Sequence, residues 1–201
     1  MFRSRDERKA REAGIDPARL PPGQHMTVKW PVLHAGGVPN VDLTKWTLCL
    51  FGEVEEEVVL DWGQFNALPR TGNVQDIHCV TRWSKFDTSF EGVHWQELAK
   101  LCRPLPTARF VLAWAEHDFT ANVPLASIED PQALFATHGD GEPLTLEHGY
   151  PLRLVVPHKY FWKSAKWLRG IELLPEDQLG FWERYGYNNN ADPWLEERYS
   201  F

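Results

Sequence analysis

The sequence predicts an α+β fold, a single domain built on mixed sheet, and three observations carry that prediction. Segments with strand and helix patterning follow one another irregularly, without the regular βαβ rhythm of a doubly wound sheet. No glycine-rich loop runs from a strand into a helix, which also disfavours a nucleotide-binding parallel sheet. The 201 residues suffice for one domain with a sizeable core, and no internal repeat or low-complexity segment divides them.

The elements follow in order. Residues 3 to 13 read as a short charged helix or a frayed arm, stopped by Pro17, Pro21, Pro22 and Gly23. Trp30 to Pro39 carries two prolines and two glycines and reads as an irregular loop. Trp46-Thr-Leu-Cys-Leu-Phe51 alternates and is rich in strand formers. A glutamate-rich turn separates it from a second strand, Glu57-Val-Val-Leu60, and Asp61 caps a short helix through Leu68, ended by Pro69. Thr71 to Val80 reads as a strand running into a loop. A helix over Trp95 to Cys102 follows from Trp95, Leu98, Leu101 and Cys102 at helical spacing. Arg109 to Trp114 is a buried strand with Phe119 to Val123 as its hairpin partner. A helix capped by Ser127 or Asp130 is expected to reach Thr137, before a tight turn at Gly139-Asp-Gly141. Pro151 to Val156 and Lys166 to Leu174 are strands, and the aromatic, charged tail from Pro175 wraps the body as irregular structure.

Composition narrows the function. The net charge of -7 argues against a nucleic-acid protein, which normally presents a basic face, but leaves room for a local basic pocket. The three cysteines form no disulfide framework and fit a reducing compartment. The charged N-terminus lacks the apolar run of a secretory signal, and no stretch approaches the ~20 apolar residues of a membrane span. A cytoplasmic address is therefore expected. The ten tryptophans read chiefly as core, though exposed indoles also build glycan- or protein-binding surfaces.

Two segments offer chemistry. Cys79, between His78 and Arg82, reads either as a small buried residue at a strand end or as a thiolate ligand for a soft metal, with positive charge expected to lower its pKa. Cys49 and Cys102 lie in apolar patterns and read as core. No Cys-x-x-Cys or paired histidine spacing supports zinc, and no Gly-x-Ser-x-Gly supports a serine hydrolase. The second segment places Arg153, Lys159, Lys163 and Lys166 in one short span of an acidic chain. It reads equally as an anion site, through charge-assisted hydrogen bonds, or as a solvated basic edge. His148 and His34 gain interest only beside it.

Together the segments resemble the sulfite oxidase family of molybdopterin-binding oxidoreductases. Cys79-Val-Thr-Arg-Trp-Ser84 is similar to the Cys-Val-x-x-Trp-Ser of the bacterial protein-methionine-sulfoxide reductase branch. His148-Gly-Tyr-Pro-Leu-Arg153, followed by Lys166-Trp-Leu168, is similar to the His-Gly-(Tyr/Phe)-Pro-x-Arg and Lys-Trp-Leu of sulfite oxidases. The resemblance covers roughly Trp30 to Leu174. It implies the mixed-sheet domain of that family over residues 26–175, an arm over 1–25 and a tail over 176–201 packed on the domain.

The resemblance also implies a molybdenum–molybdopterin cofactor with Cys79 as its only protein ligand. His148, Arg153 and Lys166 would contact the pterin and its phosphate, with Lys163 near. His34 would lie in the first cofactor-contacting loop, where the family commonly has Asn, and Tyr160, Phe161 and Trp162 would line the cofactor. Arg82, three residues past Cys79, is the candidate substrate contact, or else a structural pair or a pterin contact. The implied reaction is two-electron oxygen-atom transfer at sulfur or a similar heteroatom, on a small-molecule or sulfoxide-type substrate, with a separate electron-transfer partner because no Cys-x-x-Cys-His haem motif is present. Leu33 stands where sulfite oxidases carry an Arg for the sulfite anion, so sulfite is not the expected substrate. Two rival readings are a non-catalytic cofactor-binding or carrier domain of the same fold and a Trp-rich binding module.

Overall fold

The computed structural model describes residues 5–200. The expected N-terminal helix is present as α1 (Arg5–Glu12), and residues 3 and 4 of that expectation lie outside the described residues. The short strand β1 (His25–Met26) precedes the irregular loop over 30–39. Strands β2 (Thr47–Gly52) and β3 (Val58–Asp61) lead into α2 (Trp62–Asn66). A reciprocal capping box starts α2: Asp61 Oδ1 accepts from Gln64 N at 2.8 Å, and Gln64 Oε1 accepts from Asp61 N at 2.9 Å.

Strands β4 (Thr71–His78) and β5 (Trp83–Val93) form a hairpin, and α3 (Trp95–Cys102) follows. The expected spacing of α3 holds, since Trp95, Leu98 and Cys102 are buried. Strands β6 (Phe110–Ala115) and β7 (Thr120–Pro124) pair antiparallel as expected. Then come α4 (Leu125–Glu129), the hairpin of β8 (Leu134–Gly139) and β9 (Glu142–Pro143), strand β10 (Arg153–Val155), strand β11 (Leu168–Leu174) and α5 (Phe181–Arg184) in the tail.

Three expectations change. The eleven residues of β5 were not expected as a strand. Polar residues interspersed with Phe86 and Phe90 over Ser84 to Glu91 hide its alternation, and Asp87 sits at φ 53°, outside strand geometry. The helix expected to reach Thr137 stops at Glu129, and Leu134 to Gly139 is a buried central strand. A continuous apolar run does not distinguish the two by periodicity. The tail contains a short helix as well as irregular structure.

Two mixed sheets build the domain. One orders β1-β5-β8-β10, with β4 on β5 and β9 on β8; the other orders β3-β2-β11-β6-β7. In the second sheet β11 lies parallel to β2 and antiparallel to β6, so both its edges are paired. The main core packs Leu48, Leu50, Val111, Ala113, Ile171 and Leu173 of this sheet against Leu98 of α3 and Leu154 of β10. A smaller cluster of Ile77, Trp83, Phe90, Leu134 and Val155 supports Cys79, Trp30 and Phe161 from below. The β4–β5 turn, the 30–39 loop and the segment after β10 thereby meet at one place.

A candidate cofactor cavity between the cysteine turn and the basic block

Cys79 opens the β4–β5 turn. Its N–H donates to Trp83 O at 2.9 Å, and its carbonyl accepts from Arg82 N at 3.0 Å. Arg82 closes the three-residue loop at φ 74°, the left-handed end such hairpins use. Gln24 Nε2 donates to the same Cys79 carbonyl at 2.9 Å. The Cys79 sulfur lies 3.1 Å from Thr81 Oγ1.

The sulfur's electrostatics differ from expectation. Burial pushes the Cys79 thiol pKa up, although the Thr81 hydroxyl and the Arg198 charge both pull it down. His78 supplies no charge at pH 7, because burial lowers it to about 4, with Nδ1 2.8 Å from Ser84 Oγ. Arg82 points its guanidinium toward Gly23 and is absent from the cavity wall. The cation that acts on the Cys79 thiol is thus Arg198 of the tail, which no pattern in the sequence singles out.

A cavity of about 300 Å³ joins Cys79 to the basic block. Leu33, His34, Trp83, Arg153, Phe161, Trp162 and Lys166 line it together with Cys79, and so do Trp182 and Tyr187 from the tail. His148 lines it too, its ring stacked on Trp30 at 4.2 Å. Thr145 Oγ1 lies 3.0 Å from His148 Nδ1, while Trp30 O lies 3.2 Å from Nε2. A carbonyl accepts only, so Nε2 carries the proton and Nδ1 takes the Thr145 hydroxyl hydrogen. Burial lowers the His148 pKa, helped by Arg153 and Lys166.

Arg153 is 2% exposed. Nη1 donates to His148 O and Nη2 to Ser164 O, each at 2.9 Å, and the guanidinium lies 4.2 Å from the Phe161 ring centroid. Its Nε–H and the indole N–H of Trp83 have no partner among the described residues. Burial pulls the Arg153 pKa down and no carboxylate pulls it back. Because a guanidinium keeps its proton in proteins, burial here creates an unmet demand for an anion.

Lys166 repeats the pattern. Its ammonium donates to Leu33 O at 2.9 Å and Glu147 O at 2.8 Å, and burial together with the Arg153 charge lowers its pKa to about 7, against a weaker pull from Glu147. Gly149 makes the close approach possible. It sits at φ 109°, and a Cβ there would meet the Cβ atoms of Arg153 and Lys166 at 3.1 Å each.

Of the other expected site residues, Lys163 and Tyr160 fall elsewhere. Lys163 is 1% exposed but faces inward, its ammonium 2.6 Å from Glu183 Oε1 and 2.9 Å from Asn122 Oδ1. It is therefore corrected from a phosphate neighbour to one half of a buried ion pair. Tyr160 is also turned into the interior, stacked on Trp162 at 5.3 Å, with burial raising its pKa to about 12. His34 stays at the wall, its Nδ1 3.0 Å from Gly36 O and its ring edge-on to Trp167. Lys159 reaches Asn190, outside the cavity. Among the described residues no three His, Cys, Asp or Glu side chains converge as a metal cluster, and no helix is long and apolar enough to cross a membrane.

The arrangement fits a flat, anionic cofactor. Indoles and Phe161 supply apolar walls, Arg153 and Lys166 supply positive charge whose hydrogen-bond partners are neutral carbonyls, and Cys79 supplies one soft ligand atom.

Comparison with known proteins agrees with this reading. The model of the "Oxidoreductase molybdopterin binding domain" family matches residues 35–182. The uncharacterized oxidoreductase YuiH of Bacillus subtilis (strain 168) is 45% identical over 184 residues, covering 91% of this chain and 93% of that protein. The protein-methionine-sulfoxide reductase catalytic subunit MsrP of Campylobacter jejuni is 28% identical over 182 residues, covering 77% of this chain and 59% of MsrP. The chain thus spans under two thirds of that enzyme's length. Among solved structures, the sulfane dehydrogenase SoxCD from Paracoccus pantotrophus superposes with a TM-score of 0.68 at 21% identity, over 77% of this chain and 44% of that one. The α+β fold is therefore the molybdopterin-binding fold of that structure. The similarity to MsrP corrects the expected cytoplasmic address, since MsrP catalytic subunits are periplasmic or secreted. A low cysteine count and a charged start do not fix a compartment.

Proposed function

Because the chain belongs to the oxidoreductase molybdopterin binding domain family, we propose that it is an enzyme that binds a molybdenum–molybdopterin cofactor and transfers an oxygen atom to or from sulfur or a similar heteroatom. The observation that carries the reading is the pairing, in one cavity, of Cys79 with two cations, Arg153 and Lys166, whose hydrogen-bond partners are neutral carbonyls.

In this reading Cys79 is the one protein ligand to the metal. Arg153 and Lys166 hold the phosphate end of the cofactor, and the neutral His148 donates from Nε2 to the Trp30 carbonyl, fixing the wall between them. Phe161, Trp162 and His34 flank the pterin. When bound, the cofactor supplies two-electron oxygen-atom transfer. The indoles of Trp162 and Trp182 and the ring of Tyr187 exclude water from the sulfur's surroundings and favour a small molecule with little charge, of the sulfoxide type. Leu33, 53% exposed at the mouth, brings no cation for a sulfite anion. Arg82 drops out as a substrate contact, and electrons pass to or from a separate partner. Residues 26–175 carry most of the cofactor-binding unit, the tail over 176–201 completes its cavity with Trp182 and Tyr187, and the arm over 1–25 flanks it.

The test is molybdenum and pterin per chain in protein from a host that makes the cofactor. Near-stoichiometric metal is expected in the wild type, with reoxidation of the dithionite-reduced protein by a sulfoxide. Metal-free wild type from such a host, with Cys79 intact, would sink the proposal.

A further inference from the structure

Two residues outside the family-matched stretch 35–182 grip the turn that carries Cys79. Gln24 donates to the Cys79 carbonyl at 2.9 Å. Arg198, from the far end of the chain, donates from Nη1 to the next carbonyl, Val80 O, at 2.7 Å, and from Nη2 to Pro22 O at 3.3 Å. One guanidinium therefore ties the N-terminal segment, the cysteine turn and the tail together.

We propose that Arg198 is a positioning residue: with Gln24 it holds the Cys79–Val80 backbone in the setting that presents the Cys79 sulfur to the cavity. The proposal rests on the reading of Cys79 as the metal's protein ligand.

A short hairpin loop at a strand end opens more easily than the strands behind it, because few buried contacts hold it. This loop also carries Arg82 in the left-handed region, a conformation unfavourable for a residue with a Cβ. Something must hold it, and successive carbonyls receive successive clamps. Arg198 is 5% exposed and lies 4.9 Å from the centroid of the buried Tyr160 ring, so its own position is fixed by packing. Its carboxylate neighbour, Glu196, is 3.7 Å away and half-exposed, which leaves the short contact to Val80 O as the tighter one. Gly23 shows how close the clasp is: a Cβ there would lie 3.3 Å from Arg198 Nη2 and 2.5 Å from Glu196 Oε1, at a φ of +68°. The planar fork spans two carbonyls at once, which a lysine's single ammonium at the end of a flexible stem does not reproduce.

Two measurements on the full-length chain test the proposal, each comparing wild type with Arg198→Met and Arg198→Lys. The first is native-state hydrogen exchange. In Arg198→Met the amides of Cys79 and Arg82 are expected to exchange roughly tenfold to a hundredfold faster, the effect of losing a hydrogen bond from a charged donor. The amides of β11 should be unchanged. The second is the sulfur-to-metal absorption of cofactor-loaded protein. It should shift or weaken in Arg198→Met at unchanged molybdenum content, with Arg198→Lys lying between. Turn amides that exchange as in the wild type, or that speed up equally with β11, overturn the clasp. Local loosening with unaltered absorption reduces Arg198 to a structural contact and overturns its role toward the sulfur. A wild type that takes up no molybdenum overturns the reading of Cys79 itself, and differs from failure of the clasp alone, in which wild type loads metal and the turn does not loosen.

Discussion

Arg153 and Lys163 belong to one basic block, are almost equally buried, and are met in opposite ways. Lys163 finds a carboxylate, Glu183, and an amide oxygen, Asn122 Oδ1, and lies off the cavity. Arg153 finds two backbone carbonyls, has no partner for its Nε–H among the described residues, and lies on the cavity. The first cation has its counter-ion inside the protein, although Glu183 Oε2 has no partner among the described residues, and a further anion would have nothing to neutralise. The second cation has no counter-ion among the described residues. Charge density along the chain is the same at both places; the internal counter-ion separates a fastener from a binding site.

The fastener is the place to look for the largest effect on stability. Glu183 also accepts the Trp162 indole N–H at 2.8 Å, so it joins the tail helix α5 to the cavity wall. Asn122 extends the joint, donating to Asp177 at 2.8 Å and Asn189 at 2.7 Å. Glu183→Ala strands a buried ammonium and an indole N–H, and should cost about 3–5 kcal/mol in denaturant unfolding of the cofactor-free protein. Replacing both partners, Lys163→Met with Glu183→Leu, should recover most of that loss. A single variant as stable as the wild type would break the comparison.

At the binding site the same operation should separate stability from binding. Arg153→Met leaves two carbonyls without their donors but also removes an uncompensated buried charge. The cofactor-free protein should change by no more than about 2 kcal/mol. Cofactor retention should fall roughly tenfold to a hundredfold, the worth of charge-assisted hydrogen bonds to a phosphate. Equilibrium unfolding and pterin content, measured on the same preparation, check both halves. A variant that retains the cofactor as the wild type does would remove Arg153 from the site.

Much of this contrast was hidden in the sequence. Spacing sufficed for α3, where Trp95, Leu98 and Cys102 fall on one face, and for α2, where Asp61 and Gln64 cap each other through local contacts. It failed at β5, where polar residues and a left-handed Asp87 blur the alternation, and at β8, whose short apolar run Leu134-Phe-Ala136 fits either period. That His148, Arg153 and Lys166 share a cavity wall was legible because they lie in one short segment. The orientation of Lys163 was not, since Glu183 lies twenty residues on in a tail without strong periodicity. Arg198 was least legible of all: it meets Val80 across 118 residues, and no local pattern encodes such a contact. Trp182 and Tyr187 reach the cavity from the same tail, and only their aromatic character hinted at it.

The smallest effect sharpens the comparison most, because it reads the unmet charge directly. Burial and Arg153 lower Lys166 from an ordinary value of 10.5 to about 7. Between those values the unfolded chain holds a proton that the folded chain has released. The contribution of Lys166 to the stability of the cofactor-free protein should therefore rise as pH increases from about 7 toward 10.5. Below about 7 both states are protonated, and the full cost of burying the ammonium is present. Arg153 adds no slope, since it stays protonated throughout, and His148, lowered below its ordinary 6.5, titrates under this window. Burial also lowers Lys159 and Lys163, which adds to the rise, and raises the Cys79 and Cys102 thiols, which opposes it above about 9, so the difference between wild type and Lys166→Met isolates Lys166. Lys166→Met should flatten the rise and leave the cofactor-free protein more stable than wild type near pH 7. Inorganic phosphate should flatten it too, by holding Lys166 charged. Thermal midpoints at pH 7 and pH 9, with and without phosphate, decide the matter. An equal slope in wild type and Lys166→Met would mean that the ammonium is not held in the cavity against its own charge, and the distinction from the neutralised Lys163 would then rest on Arg153 alone.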